Sequence, residues 1–207
     1  MNNSNLITTL FLDIGDVLLS NGWGHESRQA AAKVFDLDYG EMQSRHKLLM
    51  ATFEEGKLTL SEYLDRVIFY QERPFTPEKF QEFMFAQSSS DEAMIQLMRR
   101  LKEKYHLKIA VVNNEARELN EYRINKFQLN QFVDFFISSC FVHIRKPDAD
   151  IFRLALDIAH VLPENALYID DTQMFIDIAR DMGIRSITHL DYASTLAELA
   201  SCGLSTE

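Results

Sequence analysis

Apolar and polar residues follow two different rhythms along this chain. Residues 7–13 form an apolar, β-prone run that stops at Asp13, and a Gly15-Asp16 turn follows. Between residues 20 and 88 the spacing turns helical. Ala30, Ala31, Val34 and Phe35 mark one helix, and Met42, Leu48, Leu49 and Phe53 a second. Thr59 and Glu62 have the spacing of a capping box, ahead of the apolar face Tyr63, Leu64, Val67 and Ile68. Thr76-Pro77 reads as an N-cap followed by proline at the first helical position. After the polar joint Ser88-Ser89-Ser90-Asp91 the pattern alternates. Helices are expected over 91–105, 115–127, 148–160, 172–182 and 192–201, and strands over 107–112, 135–138, 166–169 and 184–188. Gly183 is the expected left-handed stop of one of these helices. Strands alternating with helices predict an α/β fold with a parallel sheet and right-handed crossovers. The expected organisation is a core formed by 1–19 and 89–207, interrupted by an all-helical insert at 20–88.

Composition narrows the partners. The chain has 207 residues, 46% hydrophobic, enough for a substantial core. Its formal net charge of −10 argues against nucleic acid or an anionic membrane as partner. An acidic protein that takes an anionic substrate needs a local remedy: a metal ion, a lysine or a helix N-terminus. Two cysteines, Cys140 and Cys202, suit a reducing compartment and have no metal-ligand spacing. No run has the length of a transmembrane helix, and the N-terminus has no basic n-region. The expected location is therefore the cytoplasm.

Three predicted strands end in polar residues: Asp13, Asn113-Asn114 and Asp170-Asp171. Parallel strands bring those ends to one sheet edge, where ligands bind in open α/β folds. Two carboxylates there can hold a hard cation such as Mg2+ through oxygen. An amide can donate to a phosphoryl oxygen, and Lys146, just before a predicted helix, can neutralise remaining charge. Each residue alone has an ordinary explanation: a turn, an N-cap, a solvated lysine. Their joint position after successive strands points to phosphate chemistry.

With those segments in view, the chain resembles the haloacid dehalogenase-like hydrolase superfamily over nearly its whole length. Four motifs carry the likeness: Phe11-Leu12-Asp13-Ile14-Gly15-Asp16-Val17-Leu18, Ala110-Val111-Val112-Asn113-Asn114, Lys146-Pro147-Asp148 and Tyr168-Ile169-Asp170-Asp171. The insert matches the position of a helical cap. Phe53-Glu54-Glu55-Gly56-Lys57-Leu58-Thr59 is similar to the branch of sugar-1-phosphate phosphatases and the N-terminal phosphatase domain of soluble epoxide hydrolase. The resemblance implies a Rossmann-like core with an inserted cap. It also implies a Mg2+-dependent phosphomonoester hydrolase acting on a small phosphorylated metabolite, such as a sugar phosphate in the branch it resembles; a monomer or weak homodimer is expected. Asp13 is the implied nucleophile, forming an aspartyl phosphate. The Gly15 carbonyl and Asp171 are the implied metal ligands together with Asp13, and Asp170 acts through water or from beside them. Asn113 and Lys146 would stabilise phosphoryl charge. Trp23, His25, Arg28, Arg45 and His46 are the candidates on the cap for meeting substrate, and Asn114 joins Trp23, His25 and Arg28 in the expected substrate-binding set.

The departures also carry information. Gly15 stands where relatives carry a second Asp that acts as general acid and base; Asp16, one residue later, is expected to point elsewhere. Loss of such a group costs a factor of about 10²–10⁴, which favours leaving groups that need little protonation. Asn113 replaces Ser or Thr, His143 stands where relatives often have Gly, and Phe175 where an Asn or Asp supports the metal, while Asp177 is out of register by two. Two alternatives stay open at this point. One is a catalytically weakened relative that binds a phosphorylated ligand or a partner. The other is a metal-independent 2-haloacid dehalogenase.

Overall fold

The computed structural model describes residues 6–206. Five strands form one parallel sheet: β1 (Thr9–Leu12), β2 (Lys108–Asn113), β3 (Phe135–Ser138), β4 (Ala166–Asp170) and β5 (Arg185–Thr188), in the order β3-β2-β1-β4-β5. The chain starts at the centre of the sheet and winds outward to each side. The central strands β1, β2 and β4 are buried on both faces apart from Lys108, so they read as apolar runs, while the edge strands β3 and β5 are partly exposed. Leu10, Leu12, Ile109, Val111, Leu167 and Ile169 face one layer, made largely by α5 (Glu92–Tyr105) and α10 (Tyr192–Ser201). Phe11, Ala110, Val112 and Tyr168 face the opposite layer, made by α8 (Asp150–Ala159) and α9 (Gln173–Asp181). The two-residue period of a strand divides these sets.

Four helices lie between β1 and α5: α1 (His25–Val34), α2 (Tyr39–Glu54), α3 (Leu60–Val67) and α4 (Pro77–Ala86). They share a separate aromatic-rich core. Phe35 packs on Phe75 and Phe80 with ring centroids 4.6 and 4.9 Å apart, and Phe53 stacks on Tyr63 at 4.1 Å. Contacts of this kind add about 0.5–1.5 kcal/mol each beyond area burial. The Thr59/Glu62 capping box forms, and Thr76 caps α4 with Pro77 in its first turn. Both chain connections to the sheet run side by side: the Ser20 amide donates to the Ser89 carbonyl at 2.9 Å, and the Asp91 amide to the Leu18 carbonyl at 2.9 Å. Ala116 and Leu119, beside and within α6 (Arg117–Lys126), complete this core from the α/β side.

Expected and observed elements differ at few places. The helix expected from residue 115 starts at Arg117, because its N-cap Ala116 keeps an extended backbone at φ −68° and ψ 147°. A one-turn helix, α7 (Ser139–Val142), follows β3 directly and is too short for a periodic signal. His143 ends α7 at φ 58°, a left-handed conformation that glycine adopts without cost. Gly183 adopts the expected left-handed stop at φ 83°. Among the described residues, no helix is long and apolar enough to cross a membrane.

Candidate active site

Strand register sets the geometry. Leu12 lies opposite Val111 on one side and Ile169 on the other, so the next residue, Asp13, emerges level with Asp170. The Asp13 amide donates to the Ile169 carbonyl at 2.9 Å, which holds the turn against β4. One oxygen from each of Asp13, Asp170 and Asp171 lies within 4.8 Å of the others.

Lys146 joins this group from across the sheet edge. Its Nζ donates to Asp13 Oδ1 at 2.9 Å, Asp170 Oδ2 at 2.6 Å and the Tyr168 hydroxyl at 3.0 Å. An ammonium has three hydrogens, so this set uses all of them. The Tyr168 hydroxyl in turn donates to Asp170 Oδ2. Asp170 Oδ1 accepts from the Thr172 amide at 2.7 Å, so both oxygens of this fully buried carboxylate are engaged. Asn114 fixes the Lys146 backbone from both sides: its amide donates to the Lys146 carbonyl at 2.8 Å and its oxygen accepts from the Lys146 amide at 2.8 Å.

Burial dominates the electrostatics. It pushes the Asp13 carboxyl up to about 7; Lys146 opposes that rise, and Asp170 and Asp171 add to it. Burial also raises the Asp171 carboxyl, with Asp170 adding. For Lys146 burial works against the charge, but Asp13 and Asp170 outweigh it and hold the ammonium above its usual range. Three carboxylates against one ammonium leave excess negative charge. An all-oxygen donor set with that excess fits a hard divalent cation.

These groups open on a cavity of about 220 Å³, whose walls include Asp13, Gly15, Asn113, Lys146 and Asp171. A second cavity of about 260 Å³ adjoins it, and Asn21, Glu54, Asn114 and Glu115 line both. Trp23, His25 and Arg28 line the second cavity, together with His46. Arg45 lines neither; it pairs with Glu41 on the surface and lies over the Tyr70 ring. Asn113 faces the first cavity, but its Nδ2 donates to Asn120 Oδ1 at 3.1 Å and its Oδ1 has no partner among the described residues. Asp16 turns away from Asp13, accepting from Asn21 Nδ2 at 2.8 Å. Phe175 lines the first cavity with Lys146 Nζ 4.8 Å from its ring centroid, so it meets the ammonium as a cation–π partner. Asp177 is exposed and bonded to Gln173.

Several site residues were given no role from sequence. Tyr168 sits two residues before Asp170 on β4, which places both side chains on one face; strand alternation is the signal that finds it. Glu54, at the end of α2, accepts from Arg145 Nε at 2.9 Å and Nη2 at 2.7 Å, closing the mouth from the helical side. Behind it, the Ser139 hydroxyl donates to the Glu54 carbonyl at 2.6 Å, and His143 Nδ1 meets the Glu55 carbonyl at 2.6 Å. Arg123 is buried, pairs with Glu115 and also donates to the Ser20 carbonyl.

The sequence pattern of haloacid dehalogenase-like hydrolases matches residues 33–189, well over half of the chain. The chain belongs to the haloacid dehalogenase-like hydrolase family. Bifunctional epoxide hydrolase 2 from Rattus norvegicus is 34% identical to this family member over 125 residues, which cover 59% of this chain and 22% of the rat protein. The chain thus spans about a fifth of the length of that relative. Among solved structures, a HAD family enzyme from Bacteroides thetaiotaomicron in complex with magnesium and inorganic phosphate superposes with TM-score 0.76 at 17% identity, covering 90% of this chain and 98% of that one. L-2-haloacid dehalogenase from Xanthobacter autotrophicus superposes with TM-score 0.63 at 15% identity, covering 95% and 83%. At these identities the structures share the fold.

One titration behind the second cavity has a measurable consequence. Burial, and then Arg28, push the His46 imidazole down to about 4 from an ordinary value of 6.5. The unfolded chain therefore binds a proton that the folded one refuses between about pH 6.5 and 4. Stability conferred by neutral His46 is complete above that window and is lost as pH falls through it, by roughly 3 kcal/mol in all. Urea unfolding from pH 7 to pH 4 checks this. His46→Asn, which keeps an acceptor for Tyr63, flattens that part of the profile; an unchanged slope in the variant refutes the assignment.

Proposed function

We propose that this family member is a Mg2+-dependent phosphomonoester hydrolase acting on a small metabolite through an aspartyl phosphate on Asp13. The observation that carries the reading is the convergence of Asp13, Asp170, Asp171 and Lys146 at one sheet edge, beside a cavity large enough for a phosphoryl group. The Bacteroides thetaiotaomicron structure with magnesium and phosphate supports the same chemistry on this fold. Bound at Asp13, Asp171 and the Gly15 carbonyl, Mg2+ would offset charge on the phosphoryl oxygens. Asp170 is already committed to Lys146, Tyr168 and Thr172, so it orients the site from behind.

A carboxylate oxygen of Asp13 attacks phosphorus, and the bond from phosphorus to the leaving-group oxygen breaks. Lys146 holds the other partner atoms in place through Asp13 Oδ1 and stabilises the negative charge that spreads in the transition state. Water then cleaves the acyl phosphate, releasing phosphate and restoring the Asp13 carboxylate. Gly15 supplies no proton, so the leaving oxygen departs unaided or takes its proton from water. Leaving groups of low basicity, such as anomeric or acyl phosphates, are therefore the favoured class. The helices α1–α4 act as the cap over the mouth, with 1–19 and 89–207 as the catalytic core.

The test is phosphate release from a panel of phosphorylated metabolites, with Mg2+ and with chelator, in the wild type and in Asp13→Asn. Metal-dependent release that vanishes in Asp13→Asn is expected. Release that persists with chelator, or in folded Asp13→Asn, overturns the reading.

A further inference from the structure

The second cavity has a charge pattern that the phosphoryl site does not explain. Its two carboxylates are each paired elsewhere, Glu54 with Arg145 and Glu115 with Arg123. Its guanidinium is not. Arg28 is 8% exposed, and its hydrogen-bond partners are neutral: Nε donates to Gln43 Oε1 at 3.0 Å and one terminal nitrogen to the Trp23 carbonyl at 2.5 Å. No carboxylate lies within 4 Å of it among the described residues. A buried cation without an anion is costly to maintain, and such groups are usually paired.

A second donor faces the same space. The Trp23 indole, which only donates, bonds to the Tyr63 hydroxyl at 3.0 Å. Tyr63 keeps its proton, since burial pushes the hydroxyl up to about 12. The partner for that proton is His46 Nδ1, 2.8 Å away. Neutral His46 then carries its own hydrogen on Nε2, as a donor. The start of α1 adds to this: Gly24, its N-cap, makes no side-chain cap, and Gly24 and His25 both line the cavity.

We propose that this cavity binds a carboxylate on the leaving group, so that the substrate is a phosphomonoester of a hydroxyl of low basicity, such as an anomeric one, on a molecule that also carries a carboxylate. The phosphoryl group lies at Asp13 and the carboxylate at Arg28 and His46. This rests on the phosphatase reading above. A single unpaired positive charge matches a monoanion; a second phosphate, as a dianion, would bring one charge too many to a cavity that also holds Glu54 and Glu115. The apolar walls Trp23, Met50 and Phe53 suit the carbon chain between the two anionic ends.

Trp23 is the single tryptophan of the chain and lines this cavity, so its emission reports occupancy without turnover. The probes are matched pairs of phosphoryloxy alkanoates and phosphoryloxy alkanols of three to about six carbons, a span set by the side-by-side cavities, titrated into Asp13→Asn with Mg2+ present. The alkanoate of the best pair is expected to bind roughly 10- to 100-fold tighter than its alkanol, the range for a charged hydrogen-bonded contact. Arg28→Gln is expected to reduce that ratio to near one. His46→Asn, which keeps the Tyr63 contact, reduces the ratio several-fold and covers the case in which Arg28→Gln fails to fold. Both members of each pair have an alkoxide leaving group that Gly15 cannot protonate, so wild-type turnover is slow for either, and its kcat/KM follows the same ratio. Alkanols that bind and turn over as well as alkanoates overturn the carboxylate site and leave the phosphatase reading standing. A ratio that survives both variants does the same. Absence of binding across all pairs overturns the carboxylate site, and if the metabolite panel above also gives no phosphate release, the phosphatase reading falls with it.

Discussion

Replacing Lys146 with methionine is expected to destabilise the protein by about 3–5 kcal/mol and to lower turnover by at least about 10²-fold. The stability loss follows from what the ammonium touches. Asp13 and Asp170 are both buried, and Lys146 is the cation bonded to each. Methionine fills much the same volume but leaves two carboxylates facing each other in low dielectric. The activity loss follows because the same ammonium orients Asp13 and stabilises charge on the transferring group. Urea unfolding in chelator isolates the first effect from any metal compensation. Asp13→Asn placed on Lys146→Met should recover about 1 kcal/mol or more relative to the sum of the single changes, since it removes one of the stranded charges. Strict additivity would show that Lys146 is not the counter-ion that the distances imply.

Gly15→Asp is expected to raise kcat on simple alkyl phosphates by about 10²–10⁴-fold. The site has room for it. A Cβ at residue 15 meets nothing nearer than Asp13 Oδ2 and the Asn21 Cα, both at 3.8 Å, and the backbone there is outside the left-handed region. A carboxyl built on that Cβ starts beside the nucleophile, within reach of a departing oxygen. Acyl phosphates, whose leaving groups need little protonation, should gain far less. Steady-state kinetics on one alkyl and one acyl phosphate separate the two. Equal gains, or none in a folded variant, would mean that proton delivery does not limit the wild-type enzyme.

Much of the fold was legible because its signals are local. Asp13 after Phe11-Leu12 and Asp170 after Tyr168-Ile169 announce strands that end in charge, and a parallel sheet aligns such ends whatever the loops do. Thr59 with Glu62, and Thr76 with Pro77, mark helix starts that the structure places where the sequence does. The site was legible only in part. Tyr168 looks like ordinary strand core, and its second role depends on Lys146 arriving from 22 residues away. Asn113 appeared free to face substrate, yet Asn120, one α6 turn into the next element, claims its amide. Glu54 and Arg145 are 91 residues apart, and nothing in either neighbourhood foretells their pairing. Arg28 was expected to meet substrate, but its burial without a carboxylate partner follows from packing alone. Contacts set by tertiary packing leave no periodic trace.

The bonds between Glu54 and Arg145, between Ser139 and the Glu54 carbonyl, and between His143 and the Glu55 carbonyl lie on one side of the mouth. The paired connections at Ser20 and Ser89 tether the same helices to the sheet. Together these contacts fasten the helices to the α/β core on two sides, and Glu54 and Arg145 also line the first cavity. A ligand that bonds to either of them has to replace a charged contact that the protein already makes, so its affinity is the difference between two ion pairs and not the worth of one.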